Sequence, residues 1–414
     1  MVTNNLNLRI VDDFREFCSF IETENPPLSS KKEVLGKKDA FSINSRLYYK
    51  REVDKPYYQQ EHYPALDLLF TLAIEGQLFK KVKDEKGNIS LHGTNKLESF
   101  RQLNDCEQYC FLLETYWCCY DFASRFDSMI WSADLYPLQE LFNAFLQVGP
   151  GNSITSKYDH TNSSLCCLFS LDHPVILQLT TFDLCSYELN EEASSPYDDR
   201  LKSITPTPFG IEICNLLLQQ GFRYRPQKLF PLPYRALAAR LDMYKPKKGL
   251  HKVLAKAFPA GAVAKTVEDE PVMDQPGTYY FKVALRKTLW RTIKLAHAHS
   301  LYDLHLAIED AFEFDEEHLY AFYLDIGELK RRRGRYGVYC SEFEDEDFTV
   351  EDAVIGVCGF YPGQSMIYLF DFGDRVLFDV TLLKIDTTEP LPHSPVVVDQ
   401  KGELPEPDPD WDYL

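Results

Sequence analysis

The sequence has no stretch that approaches the roughly 18 consecutive apolar residues needed to cross a bilayer. Its first residues, MVTNNLNLRIVDDF, have neither the basic start nor the apolar core of an export signal. These two absences predict a soluble, unexported protein with no membrane partner, and we expect a cytoplasmic location.

Metal-binding cysteine spacing is also absent. The eleven cysteines form no CxxC pair, although Cys118 adjoins Cys119 and Cys166 adjoins Cys167. An odd number of cysteines in a chain without an export signal is typical of reduced, buried thiols. We therefore predict no structural metal and no cofactor.

Established catalytic motifs are missing as well. The sequence contains no GxxxxGK[ST] phosphate loop, no GxSxG and no HExxH. A serine recombinase would need a nucleophilic Ser among several arginines, and the compact basic run from Lys330 to Arg335 lacks that context. An acidic run from Glu342 to Asp352 follows it. Neighbouring blocks of opposite charge are typical of a solvated loop. The alternative is a phosphate-binding site at the arginines. A binding protein is therefore favoured over an enzyme.

The residues that are present are sufficient for a folded protein. Hydrophobic residues make up 45% of the 414 positions and aromatic residues 14%, which excludes wholesale disorder. Acidic residues outnumber basic ones by 63 to 44, and the formal net charge is −19. At roughly 100 to 200 residues per domain, the length predicts two or three domains. The order of the local patterns predicts an α+β protein.

The hydrophobic pattern of residues 1–257 predicts a mostly helical region. The apolar positions of one helix recur at i, i+3, i+4 and i+7, and Gly76 lies where its C-terminal cap would be. A hairpin with Lys86-Gly87-Asn88 at its tip follows, and residues 204–222 repeat the order loosely as a strand that leads into a helix. The periodic residues of the first helix are Leu66, Leu69, Phe70 and Ala73.

This order of helix, wing and helix resembles winged-helix units in tandem. In such units a leucine-rich helix and a wing precede a T-x-x-G sequence and another helix. Thr207 and Gly210 fit that pattern, and Gly93-Thr94 fits it in part. A helical scaffold that carries a hairpin is the alternative, because short hairpins between helices are common and a fold does not fix a function.

A basic segment interrupts this acidic chain between residues 223 and 265. It holds eleven Lys and Arg residues against one acid, Asp242, and aromatic residues such as Tyr224 and Tyr234 lie among them. Because lysine and arginine release counterions from phosphates and aromatic rings stack on bases, the segment predicts contact with DNA or RNA. The alternative is that it neutralises an acidic face of the same molecule or of a partner. The candidate nucleic-acid-binding residues are Arg223, Arg225, Lys228, Arg235, Arg240, Lys245, Lys247, Lys248 and Lys252.

The C-terminal part predicts antiparallel hairpins and one main helix. Residues 258–277 read as a linker, and 279–296 as two strands joined by a turn at Arg286-Lys287-Thr288. Ser300 and Asp303 have the spacing of a capping box before a helix that ends at Phe312. The pattern of residues 365–385 predicts a hairpin around Gly373-Asp374, in which Gly373 supplies a positive φ. Residues 391–414 are expected to form an acidic, proline-rich tail.

Residues 278–390 hold a set of motif positions in a specific order and spacing. They include Trp290, Arg291, His305, His318, Asp371, Phe372, Gly373 and Asp374. On these positions the region resembles the plasmid pRiA4b ORF-3-like family, whose members are also labelled passenger proteins of an insertion element. The resemblance implies an α+β domain of unknown biochemical activity. The family usually has Trp and His after the DFGD turn, whereas this chain has Val376 and Phe378, which suit packing better than chemistry.

Imidazole and carboxylate groups within these positions could bind a metal or move a proton. The candidates are His305, His318, Asp371 and Asp374. Because aspartates in turns and histidines on helices commonly bond to local backbone groups, a structural role is the favoured interpretation. The leading hypothesis is thus a non-enzymatic binding or adaptor protein associated with mobile elements. The alternatives are a metal-dependent hydrolase at these four residues and a protein-interaction module with an acidic surface.

Overall fold

The structure is a computed structural model of the chain. It describes residues 8–30, 32–84, 86–122, 136–155, 173–189, 201–226, 232–243, 249–268, 274–314, 318–324, 337–343 and 348–403. The predicted α+β class is confirmed, since helices dominate the N-terminal part and a seven-stranded antiparallel sheet forms the C-terminal part. No helix within the described ranges is long and apolar enough to span a membrane.

Residue contacts divide the chain into two compact units. The first contains Met1–Lys81, Ile89–Leu229 and Pro246–Asp269, and the second contains Val82–Asn88, Phe230–Lys245 and Glu270–Leu414. This division differs from the expected boundary at residue 257, because three residues of segment 230–245 are buried in the core of the second unit. They are Tyr234, Leu237 and Ala238.

The first unit is mostly helical, as its sequence predicts. Its helices are α1 (Arg9–Glu24), α2 (Lys37–Asn44), α3 (Pro64–Glu75), α4 (Asn95–Arg101), α5 (Asp105–Cys119), α6 (Tyr136–Val148), α7 (His173–Thr181), α8 (Pro208–Gln219) and, after the segment of the second unit, α10 (Leu250–Leu254). Its short strands are β1 (Phe79–Lys83), whose last two residues are counted with the second unit, β2 (Ile89–Gly93), β3 (Ile154–Thr155), β4 (Cys185–Leu189) and β5 (Leu201–Pro206). β1 pairs with β2, and β5 lies between β3 and β4.

The helix–hairpin order occurs twice with the same hydrogen bonds. In α3–β1–β2–α4 the Thr94 hydroxyl donates to the Gln77 carbonyl at 2.7 Å, and in α7–β4–β5–α8 the Thr207 hydroxyl donates to the Asp183 carbonyl at 2.6 Å. Gln77 and Asp183 both take a left-handed φ, 57° and 59°, at the turn between helix and strand. The loose repeat in the sequence is therefore a repeated local structure.

Thr207 and Gly210 have separate roles at the start of α8. The Thr207 hydroxyl caps the helix by accepting the Gly210 N–H at 2.8 Å. A Cβ on Gly210 would lie 1.8 Å from the Leu184 carbonyl oxygen, so only glycine allows this close approach of strand and helix. The T-x-x-G sequence is explained here by capping and packing.

The first part of the expected linker, residues 258–268, is attached to the first unit. The Phe258 ring lies 5.7 Å from the Tyr109 ring, centroid to centroid. The Glu107 carboxylate of α5 accepts the N–H groups of Ala264 at 3.0 Å and Lys265 at 2.8 Å. We call residues 258–268 the strap.

The second unit is built on one antiparallel sheet with strand order β12-β7-β6-β11-β10-β8-β9. The strands are β6 (Thr278–Arg286), β7 (Leu289–Ala296), β8 (Tyr320–Tyr323), β9 (Val338–Tyr339), β10 (Ser365–Phe370), β11 (Val376–Asp386) and β12 (Val396–Lys401). The unit also contains α9 (Leu232–Arg240) and α11 (Leu301–Phe312). The predicted hairpins β6–β7 and β10–β11 are confirmed, and residues 396–401, expected in the tail, form a strand.

The main helix begins and packs as the sequence predicts. Ser300 and Asp303 form a capping box, with the Asp303 N–H donating to the Ser300 hydroxyl at 3.3 Å and the Ser300 N–H to the Asp303 carboxylate at 2.7 Å. The buried stripe of α11 lies in the core of the second unit and consists of Leu301, Leu304, His305, Ile308 and Phe312.

The turn of the β10–β11 hairpin differs from the expectation. The left-handed residues are Asp371 (φ 54°) and Arg375 (φ 57°), and Gly373 is not among the residues with positive φ. Instead, the Gly373 N–H donates to the Asp371 carboxylate at 2.6 Å. The aspartate therefore organises this five-residue loop through its side chain, as in an Asx turn.

Candidate functional site

The basic segment is not a continuous surface of one unit. Arg223, Arg225 and Lys252 belong to the first unit, whereas Arg235 and Arg240 belong to the second. The remaining candidates, Lys228, Lys245, Lys247 and Lys248, lie outside the described residues.

Arg225 and Arg235 contact the interior of the protein. The Arg225 guanidinium donates to the Trp117 carbonyl at 2.8 Å and the Tyr120 carbonyl at 3.3 Å, and Arg235 is buried. Arg240 forms an ion pair with Asp274 at 3.3 Å. Of the candidates that the structure describes, Arg223, Arg240 and Lys252 are exposed.

The helix that precedes the first hairpin is also unsuited to nucleic-acid contact. A recognition helix must present side chains to a groove. In α3 every residue from Ala65 to Ala73 is buried, and α3 packs against α7, its counterpart in the repeat. The winged-helix resemblance therefore provides no exposed recognition helix at α3.

Among the four polar candidates, His305 lies deepest. It faces inward from α11, and its ring stacks on Tyr320 with centroids 3.5 Å apart. Its Nε2 lies 3.3 Å from Glu309 Oε2, and its Nδ1 lies 2.8 Å from the Tyr368 hydroxyl. Because a carboxylate only accepts hydrogen bonds, Nε2 carries the proton and Nδ1 accepts from the tyrosine.

Burial lowers the pKa of His305 to about 3, so the imidazole is neutral at pH 7 despite the adjacent Glu309. Tyr368 is fully buried, so the hydrogen bonds that run from Glu309 through His305 to Tyr368 end inside the core. The arrangement supports a structural role for His305.

Acid should destabilise the second unit through His305. In the unfolded chain an imidazole takes up a proton near pH 6.5, whereas the folded pKa is about 3. The unfolded state thus binds more protons between these values, and stability falls as the pH falls. From pH 6.5 to pH 5 we expect a loss of about 2 kcal/mol from this residue.

Denaturant titrations across this pH range measure the effect. His305→Gln should be less stable at pH 7 but should lose this part of the pH slope, whereas the control His393→Gln, at an exposed position in the same unit, should keep it. An unchanged slope in His305→Gln would contradict the assignment.

His318 and Asp371 form a second, separate pair. His318 Nδ1 lies 3.2 Å from Asp371 Oδ2, and Asp371 Oδ1 accepts the N–H groups of Gly373 at 2.6 Å and Asp374 at 3.3 Å. The Asp371 carboxylate therefore contacts His318 and also stabilises the turn. The Asp374 side chain is exposed, and only its backbone joins this group.

The four candidates thus divide between a buried helix contact and a turn contact. Within the described ranges, no group of three or more His, Cys, Asp or Glu side chains is placed to hold a metal ion. Every cysteine of the described part is free, with Cys106 and Cys119 half-buried and the others buried. The geometry supports the structural interpretation of these histidines and aspartates.

Trp290 and Arg291 lie on opposite faces of β7. Trp290 is half-buried, with the Lys282 ammonium 4.3 Å from its ring centroid. Arg291 is buried and donates from Nε to the Ala311 carbonyl at 3.2 Å. Its Nη1 donates to the carbonyls of Lys401 and Gly402, both at 3.2 Å. Arg291 therefore joins the last turn of α11 to the end of β12.

β12 is the feature that the sequence interpretation missed. It pairs with β7 on one side, and in the described part of the chain no strand pairs with its other side. Its three adjacent valines are 43%, 37% and 44% exposed at Val396, Val397 and Val398. The β-branched run Val396-Val397-Val398 was the available signal for a strand.

Comparison with known proteins assigns the region that contains these residues. The family model described as "Plasmid pRiA4b ORF-3-like protein" matches residues 278–410. This domain matches the pRiA4b ORF-3-like family. The assignment covers the C-terminal domain, including β12, and leaves the first unit outside the match.

The other comparisons add little. No curated protein matches the chain. A crystal structure of a protein of unknown function from Methanosarcina mazei Go1 is 20% identical and covers 30% of this chain and 70% of that chain, with a TM-score of 0.25. Similarity at that level carries no argument about function.

Phe378 and Val376, which follow the turn of the β10–β11 hairpin in the pRiA4b ORF-3-like domain, lie at packing positions. Phe378 is fully buried, and its ring lies 4.9 Å from the Phe312 ring and 5.9 Å from the Phe314 ring. Val376 packs at the edge of the same core. Both side chains are apolar and pack in the core, so neither can bind a metal or transfer a proton.

Proposed function

We propose that the protein is a non-enzymatic binding protein whose pRiA4b ORF-3-like domain takes an extended segment of a partner protein onto β12. The observation that carries this proposal is the one-sided pairing of β12 together with its three exposed valines. An edge strand presents unpaired N–H and C=O groups that another strand can complete. Peptide-binding domains use this mode of recognition, in which side-chain contacts add specificity to the backbone ladder.

Features of β12 itself limit where a partner can pair. The register with β7 shifts between Val397 and Asp399, and Lys401 lies at the end of the strand. Bulges and edge lysines reduce uncontrolled pairing. A partner strand can therefore make apolar contacts with Val396–Val398. The bulge and Lys401 that follow restrict which partner strands can pair beyond them.

A second copy of the chain is a poorer occupant than a different protein. Each copy carries a formal net charge of −19, so two copies repel each other. The chain's own C-terminal residues are also unsuited, because Pro405, Pro407 and Pro409 have no N–H for a ladder. A partner of another sequence fits the edge better.

Selection of peptides from a random display library on the full chain tests the proposal. We expect extended peptides that slow hydrogen exchange at the amides of residues 396–401. Replacing Val396 and Val398 with lysine should weaken their binding at least tenfold, about 1.4 kcal/mol, because edge lysines block strand addition.

The matched control is Leu306→Lys, at a 44% exposed position on α11 of the same domain. It should bind the peptides as the unmodified chain does. If no selected peptide depends on Val396 and Val398, binding through the β12 edge is wrong.

A further inference from the structure

We infer that the segment accepted by β12 is amphipathic, with large apolar side chains at every second position that lie between β12 and α11. This inference rests on the proposed function and names the chemistry of the partner. It follows from the position of α11 beside the open strand and from the exposure of Val397 on the side of the sheet that faces the helix.

β12 lies alongside α11. Near the start of both elements, His299 Nε2 donates to the His393 carbonyl at 3.3 Å, because its Nδ1 accepts the Ala296 N–H at 3.0 Å. At the other end, Arg291 bonds to carbonyls in the last turn of α11 and at the end of β12. The twelve residues of the helix span about 18 Å and the six of the strand about 20 Å. The helix and the strand therefore run side by side in the same direction.

Val397 lies on the face of β12 that is turned toward α11. Residues directly opposite each other in neighbouring strands share a face of the sheet, and Val397 lies opposite Ile293 of β7. Ile293 is fully buried in the same core as the apolar stripe of α11, whereas Val397 is 37% exposed. The apolar layer between the sheet and α11 is therefore closed at β7 and open at β12.

The flank of α11 beside β12 is apolar as well. The Ala311 carbonyl accepts a hydrogen bond from Arg291, which also bonds to the end of β12. Ala307 lies one turn before Ala311, on the same flank of the helix. Both alanines are half-buried and pack against the core. Side chains of an added strand that point toward α11 would therefore contact apolar groups.

An added strand would continue both faces of the sheet. Its residue opposite Val397 and every second residue from there would face α11, because side chains alternate along a strand. Burial of leucine or phenylalanine there removes more apolar surface from water than burial of alanine. The opposite face carries the exposed Asp399 and Lys401, which suit polar neighbours. The expected segment thus alternates large apolar and polar residues.

Three synthetic peptides test the inference by fluorescence anisotropy with the full chain. One alternates leucine and threonine, one has the same residues with all leucines in a single block, and one alternates alanine and threonine. All three carry the same soluble flanking residues. We expect the first to bind roughly tenfold more tightly than the other two, or about 1.4 kcal/mol, because only its leucines all point toward α11.

Bulk added to the flank of α11 provides the matched comparison. Ala307→Phe should fill the space beside β12 and remove most of the advantage of the alternating leucine peptide. Leu306→Phe adds bulk at an exposed position that helical periodicity turns away from β12, and it should leave the order of affinities unchanged. Val397→Thr adds no bulk to the helix and should also reduce the advantage, so the test does not depend on the folding of one variant.

The outcomes separate the inference from the proposed function. Equal binding of the three peptides, or equal effects of Ala307→Phe and Leu306→Phe, overturns the inference, and so do β12-dependent library peptides without alternating large apolar residues. Strand addition then stands as long as binding depends on Val396 and Val398. If none of the three peptides binds and the library yields no β12-dependent peptide, the proposed function itself is wrong.

Discussion

Replacing Arg291 with methionine is expected to lower the free energy of unfolding of the pRiA4b ORF-3-like domain by about 3 kcal/mol or more. Methionine fills part of the space but donates nothing, so carbonyls of β7, of α11 and at the end of β12 lose a charged donor. The cation also lies near the last turn of α11, where the helix dipole favours positive charge, and 5.2 Å from the Phe312 ring.

The effect of Arg291→Met should be concentrated at β12. Hydrogen exchange of residues 396–401 should accelerate before that of β10 and β11, because Arg291 bonds to the end of β12. Arg291→Lys keeps the charge without the planar fork of donors and should give an intermediate loss. Arg286→Met, at an exposed position of the β6–β7 turn, is the control, and equal effects of the two methionine variants would contradict the assigned role.

Replacing Glu107 with alanine is expected to destabilise the first unit by about 3 kcal/mol or more, because three backbone N–H groups lose a charged acceptor. Two belong to the strap, and the third is the Asn104 N–H at 3.0 Å in the capping box of α5. The carboxylate also lies in the first turn of the helix, where negative charge is favoured.

The contribution of Glu107 should depend on pH. Burial acts to raise the pKa of this carboxyl, but the backbone N–H groups outweigh it, and the pKa lies below the usual value of 4.5. Its stabilisation is therefore present above about pH 4.5 and is lost as the pH falls through the lowered pKa. Calorimetry at pH 7 and at low pH should show the difference between Glu107→Ala and the unmodified chain shrinking in acid.

A matched acid on the same helix separates this role from a general charge effect. Asp105 also lies in the first turn of α5, but it is exposed and pairs with Arg15 on the surface. Asp105→Ala should cost less than about 1 kcal/mol, as for other exposed ion pairs. If the two alanine variants destabilise equally, the strap is not held by Glu107.

Local patterns predicted much of the second unit correctly. The capping box at Ser300 and Asp303 needs only residues three apart, and the hairpins β6–β7 and β10–β11 need only adjacent strands and a turn. Such structures depend on neighbours in the sequence. The Asp371 turn shows the limit, because the pattern indicated a turn but assigned the positive φ to the wrong residue.

The basic segment shows why charge alone did not identify a site. Lysine and arginine look alike in a sequence whether they reach solvent or contact the interior. Arg225 bonds to two backbone carbonyls about a hundred residues away, and Arg291 bonds to the end of a strand about as distant. Neither distant partner is visible from local spacing.

The sequence by itself determined the α+β class, the helical N-terminal part, the main helix with its cap, and the resemblance of the C-terminal domain to its family. Those features follow from periodicity, capping and turn chemistry over a few residues. Only the tertiary structure decided which cations are buried, that the candidate histidines lie in separate contacts, and that Val396–Val398 lie at an open edge. Each of these depends on which distant segments pair, because burial and hydrogen bonding are set by neighbours in space.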